Sequence, residues 1–116
     1  MRESERPSPL SPLEFHVLLE LAREELYGYA IMRRIGEHTA GAVRVEMGSL
    51  YRVLSRMIDQ GLVGEAAAPA DAPASHRGLP RRYYRLTATG RAVVRAEARR
   101  LERVVRLARE LLPEAP

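Results

Sequence analysis

Met47-Gly48-Ser49-Leu50-Tyr51-Arg52-Val53-Leu54-Ser55-Arg56-Met57-Ile58-Asp59-Gln60-Gly61 reads as a helix with two unlike sides. Leu50, Val53, Leu54, Met57 and Ile58 recur at the three- and four-residue steps of one helical face and form an inner stripe. Gly48, Ser49, Arg52, Ser55, Arg56 and Asp59 fall on the outside, with Tyr51 at the edge. The spacing predicts a helix from about Met47 to Gln60. Gly61 supplies the stop, because glycine accepts the left-handed backbone that closes a helix.

On the C-terminal side, Leu62–Ala66 is expected as a strand. Ala67–Pro80 is rich in Ala, Pro and Gly and has no periodicity, so a mobile loop is expected there. Arg81–Leu86 alternates and carries β-forming aromatics, which predicts a hairpin with Leu62–Ala66. The loop between them is long for a hairpin and suits a wing. Tyr84 and Leu86 share one face of the strand and are assigned to the core. Thr87 caps a last helix running to about Leu112 and stopped by Pro113. Val94, Ala98, Leu101, Val105, Ala108 and Leu112 are spaced 4, 3, 4, 3, 4 along it, a heptad seam. Nothing else in the chain is left to cover that seam, so a second subunit is expected on it.

On the N-terminal side, Ala42–Val45 is expected as a short strand. Tyr27-Gly28-Tyr29 turns into a helix over Tyr29–Thr39, with Ile31, Ile35 and His38 on one face and Ala40-Gly41 at its end. Ser11-Pro12-Leu13-Glu14 opens the first helix: Ser11 as N-cap, Pro12 at the first helical position, Glu14 completing a capping box. The run Phe15–Ala22 is apolar nearly all round, which requires cover on more than one side. Phe15 and Leu18 are therefore assigned both to the chain's own domain and to a partner chain. Met1–Leu10 is polar and proline-rich and is expected to be a disordered arm.

The fold class expected is mainly α with a small β-hairpin. It comprises an arm over 1–10, a winged helix-turn-helix over 11–87 and a dimerisation helix over 88–113. The 116 residues fit one domain with an appended helix. There is no cysteine, which excludes disulfides, thiolate metal sites and a cysteine nucleophile. His16, His38 and His76 lack metal-ligand spacing, so no metal and no cofactor are expected. The formal net charge is +4, and all 19 basic residues are arginine. A basic balance favours a polyanionic partner such as nucleic acid. No apolar run is long enough to span a membrane, and a cytoplasmic protein is expected.

Three stretches taken together resemble the PadR family of bacterial regulators. They are Leu26-Tyr27-Gly28-Tyr29-Ala30-Ile31; Gly48-Ser49-Leu50-Tyr51-Arg52-Val53-Leu54 with Gly61-Leu62-Val63; and Arg82-Tyr83-Tyr84-Arg85-Leu86-Thr87 with Gly90. The resemblance covers about residues 12–112, and the single last helix is similar to the family's smaller subfamily. Glu46-Met47 stands where many members have a proline before the glycine. The resemblance implies a homodimeric repressor of transcription on double-stranded, palindromic DNA. It further implies release by a small-molecule effector held near the dimer interface, by Phe15, Leu18 and the last helix.

The residues themselves agree with DNA binding. A recognition helix enters the major groove by its N-terminal end, where small or polar residues are needed. Gly48 and Ser49 meet that need. Arg52 and Arg56, four apart, suit either a guanine edge or a phosphate. Tyr51 suits either DNA contact or the edge of the core. Arg77, Arg81 and Arg82 place basic charge on the wing, although neighbouring strand residues point to opposite faces. A winged helix that binds another protein is the alternative. No catalytic cluster is found, and an enzyme is not expected.

Overall fold

The computed structural model describes residues 9–72, 81–112 and 114. The arm over 1–8, the loop residues His76 and Arg77, and the stop at Pro113 lie outside the described residues.

The chain forms α1 (Pro12–Arg23), β1 (Leu26–Tyr27), α2 (Gly28–His38), α3 (Met47–Asp59), β2 (Val63–Ala66), β3 (Tyr83–Leu86) and α4 (Ala88–Leu111). It is a winged helix-turn-helix with a long C-terminal helix. The capping box of α1 is complete: the Glu14 amide donates to Ser11 Oγ at 3.1 Å and the Ser11 amide to Glu14 Oε1 at 2.8 Å. Leu10 is not part of a free arm. It packs on the core, and its amide donates to Glu97 Oε2 of α4 at 3.0 Å.

Leu18, Ile31, Ile35, Leu50, Leu54 and Met57 fill the centre, each almost without exposed surface. Burying a side chain of this size stabilises by about 1.5–3 kcal/mol. α1 packs against α2, α4 and β3 at once, so its nearly all-round apolar character is largely satisfied within the chain. Two dimerisation assignments are thereby corrected. Leu18 is 0% exposed and Val94 4%, so neither offers surface to a second subunit. Glu20 is buried as well; its Oε2 meets His38 Nδ1 on α2, and among the described residues its Oε1 has no hydrogen-bond partner.

The sheet is antiparallel in the order β1-β3-β2, with Leu26 opposite Tyr84 and Val63 opposite Leu86. The third strand is therefore Leu26–Tyr27, and the strand expected at Ala42–Val45 does not form. β3 has a neighbour on each edge already. The Thr39 hydroxyl donates to Ile35 O at 2.8 Å and accepts the Val43 amide at 3.1 Å, holding that segment as a turn. Val43 and Val45 still pack on the core from irregular backbone. Tyr84 is core as expected, with Leu86 half-buried; Tyr83 is buried too, its ring 5.5 Å from that of Tyr27.

Gly61, at φ +76°, ends α3 and turns the chain into β2. The carbonyl of Leu62 accepts from the Thr87 amide at 3.1 Å and from its hydroxyl at 3.0 Å. Thr87 Oγ1 in turn caps α4 by accepting the Gly90 amide at 2.9 Å. Gly90 lies directly on the Leu62 carbonyl: a Cβ there would stand 2.1 Å from that oxygen.

Candidate nucleic-acid interface

Because Leu50, Val53, Leu54 and Met57 are buried, α3 presents its opposite face to solvent. Gly48, Tyr51, Arg52, Ser55 and Arg56 lie there, with Ser49 half-buried. The helix begins at Glu46 without a side-chain cap, so its first amides have no side-chain acceptor. Such amides attract phosphate, while the Glu46 carboxylate beside them opposes it. Among the described residues, Gly48 has only Arg52 Nη1 near its missing Cβ, at 3.8 Å, so backbone can be approached closely there.

The two arginines of α3 are held differently. Arg52 Nη2 donates to Ser49 Oγ at 3.2 Å, which keeps the guanidinium along the N-terminal half of the outer face. Arg56 Nη2 donates to Glu14 Oε2 on α1 at 3.3 Å. Any contact of Arg56 with a ligand would compete with Glu14, a partner 42 residues away that the local pattern does not reveal. Tyr51 is 47% exposed, yet its ring covers Gly28: a Cβ there would lie 2.9 Å from the phenol oxygen. It packs and faces solvent together.

Just before β3 the two arginines of the wing divide. Arg81 stands over the Tyr27 ring, 4.2 Å from its centroid, a cation–π contact that turns it inward. Arg82 is exposed and pairs with Glu65 on β2. Arg85, not singled out from the sequence, is also exposed and lies across Gly64, whose missing Cβ leaves room for the guanidinium. Burial pushes the Tyr84 phenol up from its ordinary value, with Arg82 opposing, so the core tyrosine stays neutral beside this charge.

The distal half of α4 leaves its own domain bare. Val104, Val105, Leu107, Leu111 and Leu112 are 46–73% exposed, with Leu101 and Ala108 half-buried among them and Ala98 exposed. The apolar stripe is broader than the heptad seam, roughly 160° at 100° per residue. Val104, Leu107 and Leu111 widen it on one side. Phe15 on α1 is half-buried.

Between α1 and α2 an open, polar concavity of about 500 Å³ is lined by Arg23, Glu24, Arg33, Arg34, Glu37 and His38. Among the described residues, no three His, Cys, Asp or Glu side chains are grouped to hold a metal, and no helix is long and apolar enough to cross a membrane.

Residues 17–96 match the Transcriptional regulator PadR-like family. The chain is 33% identical over 112 residues to "Transcriptional regulator Rv3488" of Mycobacterium tuberculosis, covering 97% of this chain and 90% of that protein. Among solved structures, a PadR-like transcriptional regulator of Bacillus cereus superposes with a TM-score of 0.70 at 27% identity, over 89% of this chain and 93% of that one. A PadR family regulator of Clostridium difficile gives a TM-score of 0.72 at 20% identity, over 88% and 99%, a likeness in fold.

Proposed function

The chain belongs to the PadR-like family of transcriptional regulators, and from that premise we propose that it is a homodimeric repressor acting on a palindromic operator in the cytoplasm. The observation that carries the reading is the face of α3. It has a buried apolar stripe on one side and an exposed polar face on the other, with Gly48 and Ser49 at the N-terminal end and Arg52 one turn on. A helix of that construction fits the major groove, and an arginine there suits the O6 and N7 of guanine. Arg82 adds charge at the start of the wing strand, while Arg81 is held over the Tyr27 ring. The bare apolar face of α4 is the seat for a second copy, with Leu101, Val105, Ala108 and Leu112 in the seam. A small-molecule effector is assigned to the space that Phe15 and α4 border with the partner, where binding would alter the separation of the two α3 helices. The protein is a binding protein rather than an enzyme.

The test is a gel shift and footprint on the DNA upstream of the gene, at stated salt. Protection in two symmetric halves about 10 base pairs apart, or a multiple of that, is expected. Arg52→Ala should weaken operator binding by about 10-fold or more, the value of one good arginine–guanine pair. Specific binding that is absent, or indifferent to Arg52→Ala, would remove α3 as the reading element.

A further inference from the structure

We propose that Glu14 of α1 sets the affinity for DNA through Arg56, as an autoinhibitory latch: its carboxylate holds the Arg56 guanidinium toward α1, and DNA binding must release it. The inference rests on the DNA-binding reading of α3 and adds to it a controlling residue on another helix.

The carboxylate is the fixed half of the pair. Its two oxygens serve two different partners. Oε1 accepts the Ser11 amide at 2.8 Å within the capping box, and Oε2 accepts Arg56 Nη2 at 3.3 Å. The backbone beside it is held too, because the Glu14 amide donates to Ser11 Oγ. The Glu14 side chain is 16% exposed and that of Arg56 54%. Arg56 is thus the half that moves, on a long stem that lies mostly in solvent. Its departure leaves the cap bond at Oε1 intact, and the carboxylate keeps surface for water to take its place. The latch therefore opens without unravelling the start of α1.

The other arginines of this surface are held in other ways. Arg52 donates to Ser49, an uncharged partner on its own helix. Arg82 pairs with Glu65 where both side chains are more than half exposed, so solvent screens the pair. Of these three, Arg56 alone is bonded to a largely covered carboxylate on a different helix. It stands one turn from Arg52, about 6 Å along α3 and about 40° around it. Released, Arg56 adds a second cation to the face that Arg52 occupies. Held, it is neutralised by a carboxylate that itself repels phosphate. Glu14 is followed by Phe15, which borders the space assigned to the effector, so a displacement of this end of α1 would reach Arg56 through one bond.

The experiment is a double-mutant cycle on operator affinity at one stated salt concentration. It compares the wild type, Glu14→Gln, Arg56→Ala and the double variant, with Arg52→Ala alongside and circular dichroism on each to confirm the fold. Glutamine at this position still completes a capping box, so Glu14→Gln removes the charge and keeps the cap. It should tighten binding about 2- to 5-fold, the strength of a partly exposed ion pair. That tightening should be larger by about 2-fold or more with Arg56 present than in the Arg56→Ala background, because the non-additive part isolates the pair. A smaller difference between the backgrounds would make Glu14 a general repulsive charge. Weaker binding by Glu14→Gln would make it a brace that orients Arg56, and unchanged binding would make the pair silent. Each of these results overturns the latch, while weak binding by Arg52→Ala leaves α3 standing. A wild type with no specific DNA binding overturns both readings.

Discussion

Two glycines inside helices should respond to alanine with opposite signs. Among the described residues, nothing lies within 4 Å of the missing Cβ of Gly36 in α2. Alanine there gains helix propensity and should stabilise the fold by roughly 0.5–1 kcal/mol. Gly90, in the first turn of α4, would place its Cβ 2.1 Å from Leu62 O and 2.7 Å from Leu86 Cδ1. The close partner is backbone, so α4 must retreat by about 1 Å or more to restore ordinary contact distances. Overpacking of this kind costs about 1–3 kcal/mol. The same retreat stretches the two Thr87 bonds to the Leu62 carbonyl, each worth roughly 0.5–1.5 kcal/mol. Set against about 1 kcal/mol of helix propensity, the net destabilisation for Gly90→Ala is about 3 kcal/mol. Urea unfolding followed by circular dichroism, at one fixed protein concentration because assembly adds stability, reads both. A Gly90→Ala protein within about 0.5 kcal/mol of the wild type, or two shifts of the same sign, would refute the close-approach argument.

Three further outcomes are expected. Hydrogen bonds from Arg100, joined by the Leu10 amide and opposed by burial, hold the Glu97 carboxyl below the usual carboxylate range. The folded state thus takes up this proton later than the unfolded chain. Its contribution is full above the ordinary glutamate value of about 4.3 and is lost as pH falls toward the lower folded value. In calorimetry the wild-type Tm should therefore drop more steeply than that of Glu97→Gln across this acid range, and parallel curves would deny the clamp. Val104→Asp or Leu107→Asp places charge on the bare face of α4 and should yield a folded monomer by light scattering; an unchanged dimer would move the interface elsewhere. Gly28→Ala pushes only the far end of the flexible Tyr51 side chain. It should leave the unfolding midpoint nearly unchanged while weakening DNA binding several-fold, and the reverse pattern would make Tyr51 a packing residue alone.

What could be read from the sequence was governed by distance along the chain. Ser11 and Glu14 are three apart, Thr87 and Gly90 likewise, and Gly61 acts on its own helix; each of these signals is local, and each forms as expected. β1 was missed because two residues carry no periodicity, and only pairing with Tyr83 and Tyr84, over fifty positions away, makes Leu26–Tyr27 a strand. Val43 and Val45 alternate like a strand but serve the core from a turn. Leu18 and Val94 lie on apolar faces that could have met either their own chain or another, and only the packing of α1 on α4 decides. The outer face of α3 was legible because its inner stripe is regular. The tether of Arg56 to Glu14 was not, nor the inward turn of Arg81 onto Tyr27, since each depends on which distant side chain arrives alongside. Glu20 and Glu97 are polar residues buried by partners 18 and 87 positions away.

Leu62 joins two helices at once: its amide donates to Met57 O of α3, and its carbonyl meets α4 at the cap through Thr87 and in the first turn through Gly90. Such a joint resists hinging, for a swing of α4 against α3 would break these bonds and open a close contact. In a two-fold assembly built on α4, the span between the two α3 helices then behaves like a fixed gauge. An operator with a base pair more or fewer between its halves would have to twist or bend to fit, and the cost of the misfit would fall on the DNA, whose stiffness depends on the sequence at its untouched centre.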